Sequence, residues 1–220
     1  MSKLIAIIDY RAGNIKSVEN ALKICGAKPI IATKPLHLKK SAGIILPGVG
    51  AFKDGMKNLE KRKLIKEIKS QIFKGKPFLG ICLGFQLLFS YSEEHGRVKG
   101  LDILKGGVKK FKVNPIRTGI SNGVNLKIPH MGWNTVKLKI KNEKLKMPMF
   151  DGIPDNAFFY FVHSYYAKPS EKNVVAGMTN YGINFCSAIS KQNIWGVQFH
   201  PEKSGKNGLK ILRNFIKKCL

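Results

Sequence analysis

Residues 77–91 read PFLGICLGFQLLFSY, and the fold turns on how this stretch divides. Residues 77–82 form a short continuous apolar run, as expected of a strand covered on both faces. Residues 83–91 read as a helix directly after it. Gly80-Ile81-Cys82-Leu83-Gly84 spans the junction, so a cysteine sits on a sharp strand-to-helix turn, the setting of a nucleophile elbow. The flanking glycines fit because such a turn leaves no room for side chains. The following helix is expected to aim N–H groups at the sulfur and favour thiolate over thiol. The Leu83 N–H is placed to meet a developing oxyanion. The bland alternative is a buried cysteine acting as a small hydrophobe.

Working towards the N-terminus, strand and helix alternate. Residues 3–9 (KLIAIID), 29–32 and 43–46 (GIIL) are strand candidates. Residues 15–25 carry Val18, Leu22 and Cys25 at helical spacing, with Gly26 as the stop. Residues 54–74 read as one surface helix carrying Met56, Leu59, Leu64, Ile65, Ile68 and Ile72. Beyond about residue 100 the segments turn β-like, at 103–113, 133–140, 157–162, 174–178, 185–190 and 194–199. An amphipathic helix over 208–218 closes the chain. The expected fold is α/β, a single domain over residues 1–220. Its central, mostly parallel sheet is flanked by helices and carries an antiparallel β extension.

A nucleophilic cysteine needs a base, and the base needs an orienting group. Of five histidines, His200 stands at the end of an apolar strand and is followed by Pro201 and Glu202. Residues i and i+2 of an extended segment share a face, so the Glu202 carboxylate can reach the His200 ring and fix its tautomer. Cys82 and His200 both end strands, and the carboxyl ends of α/β strands are where sites form. Pro47-Gly48-Val49-Gly50 follows another strand end and can turn a backbone N–H towards the site as a second oxyanion donor. No Gly-Lys-Ser/Thr follows, so this is not a phosphate loop.

Composition narrows the alternatives. A chain of 220 residues can bury one sizeable core, and no apolar run approaches the roughly 20 residues that cross a bilayer. Residues 4–8 are too short for a signal-peptide core. Cys25, Cys82, Cys186 and Cys219 are scattered, with no zinc-site spacing, so neither metal nor other cofactor is expected and a reducing cytoplasm is. The net charge of +26 raises the possibility of a nucleic-acid-binding module. Yet Lys outnumbers Arg by 34 to 5 and is spread along the whole chain, which reads as compositional bias. No recognition motif supports a nucleic-acid partner.

Pro47–Gly50 (PGVG), residues 80–86 (GICLGFQ) and residues 199–202 (FHPE), in this order and spacing, resemble the class I (triad) glutamine amidotransferases. Within that class the chain is similar to glutaminase subunits of imidazole glycerol phosphate synthases. The stretches 7–14 (IIDYRAGN), 129–134 (PHMGWN), 160–166 (YFVHSYY) and 196–204 (GVQFHPEKS) carry this, so the likeness covers essentially the whole chain.

The resemblance implies that Cys82 attacks the glutamine amide, His200 shuttles the proton to departing ammonia, and Glu202 holds His200. Leu83 and the Gly48-Val49-Gly50 loop would form the oxyanion hole. Gln86 and the backbone of His163-Ser164-Tyr165 would hold the substrate, although a packed histidine is the bland reading of His163. Pro129, His130, Met131, Gly132, Trp133 and Asn134 would face a cyclase subunit, a (β/α)₈ barrel in a heterodimer, to which ammonia passes for histidine biosynthesis. Arg11 departs from the small residue often found there in that pathway. Paralogues that supply ammonia for sugar amidation sometimes carry a basic residue, so the acceptor stays the open alternative. A cysteine peptidase or another amide transferase leaves Gln86 and PHMGWN unexplained.

Overall fold

The computed structural model describes residues 3–112, 126–139 and 148–219. In chain order its first strands are β1 (Leu4–Ile8), β2 (Lys28–Ala32), β3 (Gly43–Leu46), β4 (Phe78–Ile81), β5 (Phe89–Ser92), β6 (Val98–Lys99) and β7 (Leu104–Lys110). They are followed by β8 (His130–Leu138), β9 (Ala157–His163), β10 (Tyr165–Pro169), β11 (Val175–Asn180), β12 (Asn184–Lys191) and β13 (Ile194–Val197). The helices are α1 (Ile15–Ile24), α2 (Pro35–Lys40), α3 (Phe52–Lys61), α4 (Ile65–Phe73), α5 (Leu83–Gln86) and α6 (Gly205–Lys218).

The two-residue period of β1 separates the core into two layers. Ile5 and Ile7 pack on the face shared with Val18 and Leu22 of α1 and Ile211, Leu212 and Phe215 of α6. Ala6 and Ile8 pack on the opposite face with Leu38 of α2, Leu59 of α3 and Ile68 of α4. All four β1 residues are fully buried, which explains why the run is apolar without alternation. Each buried Ile contributes about 1.5–3 kcal/mol.

The parallel part of the sheet runs β2-β1-β3-β4-β13. From β13 the order continues β12-β10-β7-β5-β6, antiparallel except where β5 runs parallel to β7. A branch leaves β12 through β11 to β8 and β9, all antiparallel. The expected α/β sheet with an antiparallel extension is therefore what forms.

Two expected helices come out differently. The one over 54–74 is split into α3 and α4 at Lys63, whose φ is +56°. Leu59 and Leu64 are both fully buried around that break, with the Leu64 N–H donating to Leu59 O at 3.1 Å. The helix over 83–91 stops at Gln86, and β5 begins at Phe89. Leu87, Leu88 and Phe89 are fully buried, a run that suits either structure. The decision falls to a distant segment: Leu101 N–H takes Leu87 O, and Ile103 and Leu104 N–H take Leu88 O, each at 2.9 Å. Carbonyls used this way cannot continue a helix. Of the expected strands, Val113 and Ile140 lie outside the described residues.

Candidate active site

β3, β4 and β13 are parallel neighbours, and their register decides what meets at their carboxyl ends. Leu46 lies opposite Gly80, and Ile81 opposite Val197. The segments that follow, Pro47–Gly50, Cys82 and Gln198 to Glu202, therefore leave the sheet side by side. The Cys82 N–H still donates to Val197 O at 2.8 Å, tying the elbow to β13.

Cys82 has φ +52° and ψ −109°, a conformation that costs an L-residue on the order of 1–3 kcal/mol. The surroundings enforce it. A Cβ at Gly84 would fall on the Leu46 carbonyl oxygen, and one at Gly80 would come within 2.8 Å of Phe85 Cα. The two glycines thus let α5 lie directly against β3. α5 is a single turn, shorter than the helix expected to follow the sulfur. Gln198 Nε2–H approaches Cys82 Sγ at 3.7 Å, and Val162 O lies 3.8 Å away.

His200 and Glu202 meet as expected, but through a 3-10 turn over Pro201–Lys203 and not along an extended segment. His200 Nδ1 and Glu202 Oε1 are 2.8 Å apart, with both side chains 2% exposed. The His200 N–H donates to Tyr160 O at 2.9 Å, and Ser204 Oγ–H donates to His200 O at 2.6 Å. His200 Nε2 is buried without a well-aligned partner, and so is Glu202 Oε2. Burial alone would lower the His200 pKa. The charges of Cys82 and Glu202 outweigh it and push the ring up to about 10. A buried cation held between sulfur and carboxylate is an arrangement able to deliver a proton to a leaving group.

A cavity of about 320 Å³ opens on the sulfur. Val49, Gly50, Leu83, Gln86, His163, Ser164 and Tyr165 line it together with Cys82. Of the candidate substrate residues only Gly48 is not part of the lining, and its carbonyl is engaged elsewhere. It accepts the Leu83 N–H at 3.3 Å. The donor expected for the oxyanion is therefore occupied in this conformation. The loop is anchored once more by Tyr10 Oη–H, which donates to Pro47 O at 2.8 Å in a fully buried position.

The orientation of Gln86 follows from its partners. Nε2 donates to the Tyr165 carbonyl at 2.9 Å and to Gln198 Oε1 at 3.0 Å, so both its protons are used. Only Oε1, an acceptor, is left for a ligand. Two residues were not anticipated from sequence. Glu94 also lines the cavity, with Oε2 accepting the Phe52 N–H at 2.7 Å. Gln198 is fully buried beside the sulfur. Its signal was available, because Gln198 stands two residues before His200 in the segment that follows β13. Glu94 lies in a loop after β5, a strand not expected from the sequence, and nothing local marks it.

The residues 129–134 divide. Met131 and Trp133 are 61% and 56% exposed, and Pro129 borders the cavity. Opposite Trp133 on β9 is Tyr160, and opposite Thr135 is Phe158, itself 56% exposed. These form an apolar stripe beside the cavity mouth. Gly132 has φ +127° with open space around its missing side chain. His130 departs from the expectation of a partner-facing residue: strand alternation turns it inward, and it is 2% exposed. Asn134 reaches back towards it, with Nδ2 3.2 Å from His130 Nε2.

Residues 6–219 match the family model described as glutamine amidotransferase class-I. Among curated relatives, "Imidazole glycerol phosphate synthase subunit HisH 1" of Methanococcus maripaludis is 46% identical, over 97% of this chain and 98% of that protein. The subunit HisH of Methanosarcina barkeri is 45% identical, over 99% and 100%. Among solved structures, PurLQS from Thermotoga maritima superposes with a TM-score of 0.72 at 19% identity, covering 99% of each chain. The glutaminase domain of Trypanosoma brucei CTPS, solved with bound acivicin, gives 0.66 at 16% identity, covering 98% of this chain and 94% of that one. At those identities the structures speak to fold alone.

Proposed function

The chain belongs to the class-I glutamine amidotransferases, and on that premise we propose that it is the glutaminase subunit of an imidazole glycerol phosphate synthase. The near-full-length relatives of that name support the pathway, and the buried Cys82–His200–Glu202 set beside the cavity supports the chemistry. Cys82 sulfur attacks the side-chain amide carbon of glutamine. His200 gives its proton to the amide nitrogen, which departs as ammonia. Water, deprotonated by His200, then attacks the thioester, releasing glutamate and restoring the sulfur. Glu202 holds the His200 ring throughout.

The substrate's amino-acid end has two acceptors for its ammonium group, Gln86 Oε1 and the Glu94 carboxylate, while the 163–165 backbone borders its carboxylate. The oxyanion needs the Leu83 N–H, which Gly48 O now occupies. A chain resting in this state hydrolyses glutamine slowly until the 47–50 loop releases that donor. The apolar stripe of Met131, Trp133, Tyr160 and Phe158 is the surface proposed for the cyclase subunit, a (β/α)₈ barrel, with ammonia passing from the adjacent cavity. Arg11 is outside the lining of the cavity at the sulfur and lines a neighbouring one with Val49 and Gly50.

The deciding experiment measures glutamate and ammonia release by the chain alone, with the cyclase subunit, and with cyclase plus its ribotide acceptor. Low activity alone and a large rise with partner and acceptor are expected. Equal activity in all three would overturn the proposal, and a rise with a different acceptor would reassign the pathway.

A further inference from the structure

Behind the cavity a line of polar side chains crosses an otherwise aromatic layer. His130 Nδ1 and His163 Nε2 are 2.9 Å apart, and His163 Nδ1 is 2.7 Å from the Tyr165 carbonyl. His130 is stacked between Tyr181 at 4.0 Å and Phe161 at 4.8 Å, with Phe111 and Phe185 edge-on. The proton positions follow by elimination. A carbonyl only accepts, so His163 Nδ1 carries the hydrogen. In the neutral ring Nε2 must then accept, so His130 Nδ1 donates to it. His130 Nε2 is left as acceptor for Asn134 Nδ2–H at 3.2 Å. Every ring nitrogen is used once. A further proton on His163 would set two N–H groups against each other at 2.9 Å. Burial accordingly depresses both rings, His130 to about 4 and His163 to about 3, with the His200 charge adding to the latter.

Tyr165 O accepts from His163 and also from Gln86, which continues to Gln198 and Cys82 Sγ. We propose that His130 and His163 are positioning residues for glutamine hydrolysis. As a neutral pair of fixed tautomers they hold the Tyr165 carbonyl, and through it Gln86 and Gln198, against the nucleophile. The same pair joins the strand bearing Met131 and Trp133 to the substrate seat. This deepens the function proposed above and rests on it.

Two substitutions at His130 separate positioning from packing. His130→Phe keeps the aromatic stack and removes the donor. His130→Asn forfeits the stack but can return an N–H near the Nδ1 position. In the complex with cyclase and acceptor, His130→Phe is expected to lower kcat/KM for glutamine about tenfold or more, with a rise in KM, and His130→Asn to recover part of it. A residue that only packs would give the reverse order, and that order overturns the proposal. Nitrogen-15 NMR of the full chain is expected to show both rings neutral with hydrogen on Nδ1 across the neutral pH range. Hydrogen on Nε2 of either ring would equally overturn it. A wild-type complex that releases no ammonia would instead sink the glutaminase reading itself, before any variant is compared.

Discussion

At the carboxyl ends of β4 and β13 the polar groups are arranged to carry charge, whereas in the β8–β9–β11 extension they are arranged to exclude it. His200, between Cys82 and Glu202, is pushed up to about 10. His130 and His163, among rings and carbonyls, are pushed down to about 4 and 3. The same side chain is pushed in opposite directions in the two regions. The difference lies in partners: acceptors with negative charge stabilise an imidazolium, while a closed set of neutral donors and acceptors has no place for another proton. The parallel edge holds the proposed reacting atoms, and the extension holds the histidine pair and the exposed apolar stripe.

The largest effect tests the charged region directly. Cys82→Ala is expected to lower glutamine hydrolysis by about 10⁴-fold or more, read as ammonia release. Cys82→Gly should be equally inactive yet more stable to denaturant by roughly 1–2 kcal/mol, because glycine tolerates φ +52°. A Gly variant no more stable than Ala would show that the elbow is not strained. Next, Glu202→Gln keeps the shape but removes the charge facing His200. Activity should fall by about 10³-fold, with the His200 titration moving down from about 10.

The contrast between the regions also predicts opposite limbs in a stability–pH profile. The raised His200 pKa contributes stability that is complete below the unfolded value near 6.5 and is lost as pH rises through about 10. The depressed His163 pKa contributes stability present above 6.5 and lost as pH falls towards about 3. At about pH 4 that loss is on the order of 3 kcal/mol, at about 1.4 kcal/mol per unit. Denaturant titrations should show His163→Asn flattening the acid limb alone. A change in the alkaline limb instead would break the division. The smallest effect on the isolated chain is expected at the stripe: Trp133→Ala should shift its stability by less than about 0.5 kcal/mol. Its binding to the cyclase subunit, followed by calorimetry, should weaken by roughly tenfold or more.

Much of this was legible without coordinates, for identifiable reasons. The His200–Glu202 contact was legible from their close spacing, although a 3-10 turn over Pro201–Lys203 and not an extended segment brings them together, and the elbow from two glycines around a cysteine between a strand and a turn. Local rules failed where long-range hydrogen bonds chose between local options. The run 87–89 is equally good helix or strand until residues 101–104 take its carbonyls. His130 sits in a segment that reads as a partner-facing strip, yet alternation sends it inward while Met131 and Trp133 face out. Glu94 joins the cavity only because the strand before it exists.

The sequence alone determined the α/β class, the order of the elements that carry Cys82 and His200, and the proposal of Cys82, His200 and Glu202 as partners. Those are consequences of patterns within a few residues or of strand ends in an alternating fold. Only the tertiary structure decided that Gly48 O occupies the Leu83 N–H, that Gln198 stands at the sulfur, and that His130 pairs with His163 behind the cavity. Each of these depends on register between strands far apart in sequence, and a side chain's proton is assigned only once every neighbouring donor and acceptor is in place.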